Sequence, residues 1–140
     1  MSEKILIIDN DPEMVTLLSM LIREDTPYEA EVTNNPLEAI EMVKKNGFSV
    51  VIAEMKMPVM DGIEILGAIK RIDEDIPVII LSAYGNVDSA LEAMRKGAFD
   101  YMTKPFRKEQ ILFAIENALD SVRLKKENWR LKEQLLTTVH

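Results

Sequence analysis

Apolar and polar residues form two kinds of pattern along the chain, and these patterns predict strands and helices in regular succession. Short apolar runs rich in β-branched residues are typical of strands, whereas apolar residues at every third or fourth position are typical of amphipathic helices. The five predicted strands are "KILIID", "YEAEVT", "FSVVIAE", "PVIILS" and "FDYMTK". The predicted helices between and after them are "PEMVTLLSMLIRE", "NPLEAIEMVKKNG", "DGIEILGAIKRIDED", "NVDSALEAMRKG" and a long final helix from Lys108.

Local signals support these boundaries. Asn35 suits a helix cap, Pro36 suits the first helical position, and Gly47 and Gly97 suit the ends of two helices. Strands separated by helices of this length form a parallel sheet with right-handed crossovers. We therefore predict an α/β, flavodoxin-like, doubly wound sheet of five parallel strands in the order 2-1-3-4-5, with helices on both faces and an extended C-terminal helix.

Polar side chains end four of the five predicted strands. They are Asp9 (followed by Asn10 and Asp11), Glu54, Ser82 and Lys104. In doubly wound sheets, ligands bind beyond the carboxyl ends of the strands, near the point where the strand order reverses. Carboxylates from neighbouring strands suit Mg²⁺, and a lysine and a hydroxyl opposite them suit the oxygens of a phosphoryl group. The strand ends therefore predict a site for phosphoryl chemistry.

Each of these residues also has a purely structural interpretation. Asp9 and Asp11 could start the first helix, Ser82 could satisfy a loop amide, and Lys104 could pair with Asp9. Taken together they favour the functional interpretation, because four strands would otherwise end in metal-binding and phosphate-binding residue types by coincidence. The isomer of the bond between Lys104 and Pro105 stays open at this point.

These residues lie in segments that resemble a known family. In order and spacing, the segments are similar to the motifs of the receiver domain of bacterial two-component response regulators, and they are "ILIIDNDPEM", "VVIAEMKMPVMDGIEIL", "VIILSAYG" and "GAFDYMTKPF". The resemblance covers residues 4 to about 120, and the last segment is similar to the NtrC-like transcription activators. It implies a regulatory domain in phosphorelay signalling, with Mg²⁺ as cofactor and a sensor histidine kinase as partner.

The resemblance also implies roles for individual residues. Glu54 occupies the place of the phosphoaccepting aspartate. The other implied roles are the Mg²⁺-binding acidic pair at Asp9 and Asn10, a metal ligand at the Lys56 carbonyl, the switch hydroxyl and aromatic at Ser82 and Tyr101, and the phosphoryl-contacting lysine at Lys104. Receivers of this family catalyse the transfer of a phosphoryl group from a donor to themselves. We therefore do not expect this chain to be an enzyme that acts on a separate substrate, and we expect its own phosphorylation to be impaired.

Two positions depart from the family pattern, and both fall in the reaction centre. The family has aspartate where this chain has Glu54, and an acidic residue where it has Asn10. The extra methylene moves the carboxylate by about 1 Å, so we expect phosphorylation to be slow or absent. Asn10 removes a charge and should weaken Mg²⁺ binding, with Asp11 as a further candidate ligand. Glu54 either mimics the phosphorylated state incompletely or pairs with Lys104 in an inert pocket, in a pseudo-receiver that acts without phosphorylation.

Composition narrows the class of protein. The chain has 140 residues, no cysteine and a formal charge of −7. This length fits one core, and the absence of cysteine excludes disulfides and thiolate metal sites. The acidic balance argues against sequence-independent nucleic-acid binding, and no segment reads as a signal peptide or membrane span. We expect a cytoplasmic protein without direct nucleic-acid or membrane contacts.

The final helix is longer than a sheet of this size needs. Its outer part places residues at alternating spacings of four and three, a coiled-coil pattern with an asparagine at an a-type position, and these residues are Leu124, Asn128, Leu131 and Leu135. We expect a receiver domain over residues 1–120 and a linker helix over 121–140 that leads to an absent output domain. One interpretation is a homodimer through this helix, or through the face of the fourth helix, fifth strand and fifth helix. The alternative is a linker helix that is exposed to solvent. Trp129 is expected at a dimer or domain contact.

Two other functions fit the fold less well. An aspartyl-phosphate phosphatase also uses a carboxylate at a strand end, but this chain lacks the cap insertion that binds its substrates. A flavin-binding module needs a loop rich in Ser, Thr or Gly after the first strand, where this chain has "DNDPEM". Acidic side chains there would repel a phosphate group.

Overall fold

The computed structural model describes residues 3–83 and 85–138, and it confirms the succession of strands and helices. The strands are β1 (Lys4–Ile8), β2 (Glu29–Thr33), β3 (Val50–Glu54), β4 (Val78–Ser82) and β5 (Asp100–Thr103). The helices are α1 (Pro12–Asp25), α2 (Pro36–Lys45), α3 (Gly62–Ile72), α4 (Val87–Arg95) and α5 (Lys108–Thr138). Tyr84, within one motif segment, and residues 139–140 of the expected linker lie outside the described residues.

The five strands form one parallel sheet in the order β2-β1-β3-β4-β5, as predicted. Successive side chains on a strand point to opposite faces, so β1 contributes Leu6 and Ile8 to one apolar layer and Ile5 and Ile7 to the other. The first layer packs under α2, α3 and α4, and the second packs under α1 and α5. β3 and β4 are buried along their whole length, which explains their continuous apolar runs.

Side chains at the carboxyl edge of the sheet start four of the helices. The capping residues, which accept hydrogen bonds from backbone N–H groups of the first turn, are Asp11, Asn35, Asp61 and Asn86. Gly97 follows α4 with φ +101°, a left-handed conformation that favours glycine. The caps fix the point at which each helix leaves the edge where the polar side chains gather.

α5 has 31 residues and is therefore about 46 Å long. Its first part packs on the sheet through buried side chains, namely Ile111, Ala114, Ile115, Ala118 and Leu119. Leu112, in the same stretch, is only half-buried. From Arg123 to Leu136 the side chains of the helix are exposed, so this part of α5 projects past the sheet. No helix within the described ranges has the length and apolar character that crossing a membrane requires.

Two ion pairs join the outer part of α5 to the rest of the domain. Arg123 pairs with Glu3 at 2.9 Å, and Lys125 pairs with Asp75 at 3.6 Å. Trp129 lines a cavity of about 750 Å³ between α5 and the amino-terminal edge of the sheet, and its side chain is 65% exposed. This cavity lies at the edge opposite the polar strand ends.

Candidate functional site

Buried polar side chains gather at the carboxyl edge of the sheet. Among the described residues, the buried polar or charged side chains are Asp9, Thr33, Glu54 and Ser82, with exposures of 2%, 7%, 5% and 3%. All four end a strand or follow one directly. Thr33 serves the following turn, because its hydroxyl accepts a hydrogen bond from the Asn35 N–H at 3.1 Å. The other three are residues that the sequence predicted for the site.

Strand register brings these three side chains to neighbouring positions. Ala53, which precedes Glu54, pairs with Ile8, and Glu54 itself pairs with Leu81. The backbone pairing continues past the strand ends, because the Lys104 N–H donates to the Ser82 carbonyl at 2.8 Å. The peptide bond between Lys104 and Pro105 is cis. The ends of β1, β3, β4 and β5 are thus held side by side.

Lys104 joins the two buried carboxylates. Its Nζ donates to Asp9 Oδ2 at 3.0 Å and also contacts Glu54 Oε2, and its side chain is 13% exposed. Burial lowers the pKa of Lys104, but its hydrogen bonds to Glu54 and Asp9 outweigh burial and leave the pKa above its usual value. The lysine is therefore a firmly protonated cation between two carboxylates.

Every oxygen of the two carboxylates has a donor. Asp9 Oδ1 accepts from the Asp11 N–H at 2.9 Å, and Glu54 Oε1 accepts from the Lys56 N–H at 3.4 Å. The remaining oxygen of each carboxylate binds Lys104. The cluster carries one uncompensated negative charge, since two carboxylates face one ammonium group. Its residual field therefore favours a cation less strongly than two bare carboxylates would.

Two of the other predicted metal ligands, Asn10 and Asp11, directly follow Asp9 in the chain. Asn10 is exposed and lines a cavity of about 340 Å³ together with Asp9. The Asp11 carboxylate caps α1 by accepting from the Glu13 N–H at 3.0 Å. Within the described residues, no group of three or more acidic or histidine side chains converges on one point. The carboxylate oxygens of Asp9 and Glu54 and the amide oxygen of Asn10 are of the kind that Mg²⁺ takes in proteins, so the residues present fit this ion.

A strained turn follows β3. The Met60 N–H donates to the Pro58 carbonyl at 2.9 Å, which closes a three-residue turn around Val59 at φ +74°. Left-handed backbone is unfavourable for a β-branched residue, and the Val59 side chain is 79% exposed. Sequence inspection did not identify this strain, because valine is a poor indicator of positive φ.

Gly62 holds the start of α3 against the end of β3. Its N–H donates to the Met55 carbonyl at 2.8 Å. A Cβ at this position would lie 2.9 Å from the Glu54 carbonyl oxygen and 2.9 Å from Met55 Cα. Both neighbours are backbone atoms, so only glycine allows this approach without moving the backbone of Glu54 and Met55.

The predicted switch residues lie on β4 and β5. Ser82 is buried beside the cluster, whereas Tyr101 is half-buried and its hydroxyl lies 2.9 Å from Ser89 Oγ on α4. Ser89 Oγ also donates to the Asn86 carbonyl at 3.2 Å. Since Ser89 has one hydroxyl proton, Tyr101 donates to Ser89, which donates to Asn86. Sequence analysis did not identify Ser89 as a partner of Tyr101. The one indication in the sequence is that Ser89 lies in the first turn of α4, the helix before the strand that carries Tyr101.

The model of the response regulator receiver domain matches residues 5–116. The chain belongs to the response regulator receiver domain family. Receiver domains generally bind Mg²⁺ at their phosphorylation site, interact with histidine kinases and often dimerise. The family match accounts for the fold and for the gathering of Asp9, Glu54 and Lys104 at one edge of the sheet.

Individual relatives place this receiver domain among the NtrC-like response regulators. The transcriptional regulatory protein ZraR of Klebsiella oxytoca is 39% identical over 120 residues, which are 86% of this chain and 27% of that protein. Sporulation initiation phosphotransferase F of Bacillus subtilis is 40% identical over 119 residues, covering 85% of this chain and 95% of that protein. The receiver therefore spans about a quarter of the ZraR length.

Solved structures agree with this assignment. The beryllofluoride-activated NtrC4 receiver domain dimer superposes with a TM-score of 0.81 at 29% identity, covering 85% of this chain and 98% of that one. The fold and strand order predicted from the sequence are those of this receiver family.

Proposed function

We propose that this receiver is a phosphorelay signalling module in which Glu54 blocks the phosphoacceptor position and partly imitates the phosphorylated state. The contact between the Glu54 carboxylate and Lys104 carries the proposal. Lys104 matches the family lysine that contacts the phosphoryl group. A carboxylate that already binds this lysine takes part of the place that a phosphoryl group would need.

Two features of Glu54 disfavour phosphoryl acceptance. A carboxylate is chemically competent as a nucleophile, but its displacement by about 1 Å can reduce the rate on the order of 10²-fold. In addition, Oε2 is engaged by Lys104, and Oε1 accepts the Lys56 N–H. Attack on phosphorus would require one oxygen to leave its donor. We infer that acceptance at Glu54 is strongly impaired.

Charge limits how well Glu54 imitates a phosphoryl group. It supplies about one negative charge, whereas a phosphoryl group supplies about 1.5 to 2 and has three acceptor oxygens. A ligand shifts a two-state equilibrium only by the difference between its interactions with the two states. The output face, formed by α4, β5 and α5, is therefore activated partially, with Ser82 and Tyr101 as the switch residues.

We infer that Mg²⁺ binds this site weakly. The residues that would hold it are Asp9, Asn10, Glu54, the Lys56 carbonyl and, as a further candidate, Asp11. In a competent receiver the ion would neutralise charge on the transferred phosphoryl group. Here Lys104 already neutralises one carboxylate, and Asn10 contributes no charge, so the affinity is lower than that of an acidic triad.

The partners follow from the family and its relatives. We propose a cytoplasmic receiver domain over residues 1–120, followed by a linker helix over residues 121–140 that leads to a transcriptional output domain. Its proposed partner is a sensor histidine kinase, which would donate the phosphoryl group to the Glu54→Asp variant. ZraR is named a transcriptional regulatory protein, which supports that output. The receiver itself would contact neither nucleic acid nor membrane.

Homodimerisation is the expected readout of the switch. The NtrC4 receiver is a dimer in its activated form. In this chain the face of α4, β5 and α5 exposes large apolar side chains, namely Val87, Leu91, Met94 and Phe113. We propose that this face and the C-terminal helix form the dimer.

A second function is a pseudo-receiver that dimerises without any phosphorylation. The occupation of every carboxylate oxygen of Asp9 and Glu54 by an internal donor favours it, because such a pocket is held together without a phosphoryl group. The two functions differ in whether the charge of Glu54 matters for the output face. The change Glu54→Gln removes the charge and keeps the length of the side chain, so it distinguishes the two functions.

The decisive experiment exposes the protein to Mg²⁺ and a small-molecule phosphodonor and records its intact mass. The parent, Glu54→Asp and Glu54→Gln are compared, with the dimerisation constant measured for each. Phosphoryl addition to Glu54→Asp alone supports the blocked receiver, and weaker dimerisation of Glu54→Gln than of the parent supports mimicry. Equal dimerisation of the parent and Glu54→Gln supports the pseudo-receiver. An adduct at Glu54 in the parent would contradict the block.

A further inference from the structure

The cavity of about 750 Å³ between α5 and the amino-terminal edge of the sheet has an apolar interior. Its apolar walls come from the residues just before β3 and β4 and from α5, and they are Phe48, Ile76, Val122 and Trp129. Phe48 and Ile76 are 5% and 6% exposed, so they belong to the packed domain. Cavities of this volume that combine apolar walls with a few polar groups are typical of small-molecule sites.

Trp129 leaves most of its indole surface uncovered, since its side chain is 65% exposed. An indole gains a large buried area when a partner covers it, and it favours the stacking of other flat rings. Because Trp129 shares the cavity with Phe48 and Ile76, a flat ring in the cavity would be covered by apolar surface and would cover the indole in turn. The walls therefore favour a ligand with an aromatic body.

The charged side chains that line the cavity are balanced in sign. They are two carboxylates, Asp73 and Asp75, and two ammonium groups, Lys125 and Lys126. Lys125 pairs with Asp75 at 3.6 Å. Among the described residues, Lys126 has no hydrogen bond or ion pair, and the carboxylate of Asp73 accepts one hydrogen bond, from the Asp75 N–H at 2.9 Å. One ammonium group and one carboxylate oxygen are thus left to bind a ligand.

The loop that carries the two carboxylates is held by internal hydrogen bonds. The Ile76 N–H donates to the Asp73 carbonyl at 3.3 Å. Lys70 Nζ donates to the carbonyls of Glu74 and Ile76 at 3.0 Å and 2.9 Å. A wall that is already ordered costs less free energy to arrange when a ligand binds. This part of the cavity is therefore preformed.

We propose that the cavity binds a small zwitterion with a flat aromatic body, the chemical class of the free aromatic amino acids. The ring lies against Trp129, the ammonium group of the ligand binds Asp73, and its carboxylate binds Lys126. A ligand with one charge of each sign matches the balanced lining. A nucleotide would instead bring an excess of negative charge close to Asp73 and Asp75.

The inference goes beyond the proposed function, because the cavity lies at the edge of the sheet opposite Asp9, Glu54 and Lys104. A molecule in the cavity contacts both the domain and the outer part of α5. It therefore stabilises the observed position of the helix by mass action. The cavity is then a second input to the linker helix, and it does not require phosphorylation.

Trp129 is the only tryptophan of the chain, so its fluorescence reports directly on this cavity. L-phenylalanine is titrated into the whole chain, with excitation at a wavelength that phenylalanine and tyrosine do not absorb. We expect a saturable blue shift, because the ring covers the indole, with a dissociation constant on the order of 1 mM for a ligand of this size. The absence of a saturable change up to about 20 mM would overturn the proposal.

Two ligands that each lack one charge test the zwitterion. Phenethylamine has the ring and the ammonium group without a carboxylate, and hydrocinnamate has the ring and the carboxylate without an ammonium group. Each should bind about fivefold more weakly than L-phenylalanine, because the charged contacts are exposed and individually modest. Equal affinity for all three ligands would show that the charges are not recognised and would refute the proposed class.

Substitutions assign the two charged contacts. Lys126→Gln should weaken the binding of L-phenylalanine about fivefold and leave that of phenethylamine, which has no carboxylate, within about twofold. Asp73→Asn keeps an oxygen for the Asp75 N–H, and it should weaken L-phenylalanine about fivefold without weakening hydrocinnamate. Lys132→Gln removes a lysine of α5 that does not line the cavity, and it should leave every affinity within about twofold. Losses that do not follow the missing charge of the ligand would contradict the assigned contacts.

The binding measurements are separate from the phosphorylation test. Circular dichroism verifies that each variant is folded, which is expected because Asp73, Lys126 and Lys132 are exposed. Glu54→Asp should bind L-phenylalanine as the parent does, because the two sites lie at opposite edges of the sheet. If no ligand binds while Glu54→Asp still gains a phosphoryl group, the cavity proposal fails and the receiver function stands.

Discussion

Replacing Lys104 with methionine removes the ammonium group that lies between Asp9 and Glu54. Methionine fills similar volume, so the change is mainly electrostatic. The two carboxylates are 2% and 6% exposed, and they would face each other without a cation. Breaking a buried ion pair by removing one partner typically costs about 3–5 kcal/mol. Because Lys104 is itself 13% exposed and water can enter its place, we expect a loss of about 3 kcal/mol at pH 7.

The assay is urea unfolding at pH 7, with thermal unfolding as a second measure. For a chain of this size, about 3 kcal/mol corresponds to a melting temperature lower by roughly 10 °C. Lys44→Met is the control, because its pair with Glu41 spans 3.4 Å but both side chains are more than half exposed. That change should cost less than about 0.5 kcal/mol.

Neutralising one of the two carboxylates should restore part of the free energy of unfolding that Lys104→Met loses. Glu54→Gln in the Lys104→Met background leaves a single buried carboxylate, so about half of the lost stability should return. Glu54→Gln alone leaves a balanced pair of Asp9 and Lys104 and should change stability by less than about 1 kcal/mol. A loss below about 1 kcal/mol for Lys104→Met, or no rescue by Glu54→Gln, would refute the description of the cluster as buried and tightly coupled.

The pH dependence has a definite sign. The pKa of Lys104 is raised in the folded protein, so its stabilising contribution is complete below the ordinary lysine value of about 10.5 and is lost as the pH rises through the folded pKa. The difference between parent and Lys104→Met should therefore be constant from about pH 7 to 10 and should shrink above that range. Unfolding curves at several alkaline pH values measure it.

Three further changes probe the surroundings of the site. Gly62→Ala should destabilise by about 2–4 kcal/mol in urea unfolding, because its methyl group would meet backbone atoms. Val59→Gly should stabilise by up to about 1 kcal/mol, since relief of the positive φ exceeds the entropy that glycine loses. Ser89→Ala and Tyr101→Phe should each destabilise slightly and should show a coupling of about 0.5–1.5 kcal/mol in a double-mutant cycle, because they remove the same hydrogen bond.

Each of these changes has its own check. Gly67→Ala, also in α3, has room for a methyl group and should be neutral or slightly stabilising, so an equal loss at both glycines would argue against the close approach of Gly62. A destabilised Val59→Gly would show that the valine side chain has contacts that outweigh its backbone strain. Additive effects of Ser89→Ala and Tyr101→Phe would mean that the two hydroxyls are not coupled.

Most of the fold followed from short-range patterns. The apolar runs of β3 and β4 and the helical spacing of α1 to α4 are local properties, and helix-separated strands admit few parallel arrangements. The strand ends at Asp9, Glu54, Ser82 and Lys104 followed from the same reasoning, since carboxyl ends of parallel strands share one edge. The family resemblance then assigned their expected roles.

Side-chain pairings in the site could not be read in this way. The sequence left Lys104 a partner of either Asp9 or Glu54, and the structure brings it to both. Asp11 was open as a helix cap or as a metal ligand, and its carboxylate caps α1. Such choices depend on rotamers and on distances of a few tenths of an ångström, which no local pattern encodes.

The sequence by itself determined the order of elements, the edge of the sheet that carries the polar residues, and the alternating four-and-three spacing in the outer part of α5, because each rests on spacing along the chain. Only the tertiary structure decided that Lys104 contacts both buried carboxylates, that Gly62 is packed against the end of β3, and that the Tyr101 hydroxyl is bonded to Ser89. Each of these contacts joins segments that are separate in sequence, and their geometry is set by how the elements pack.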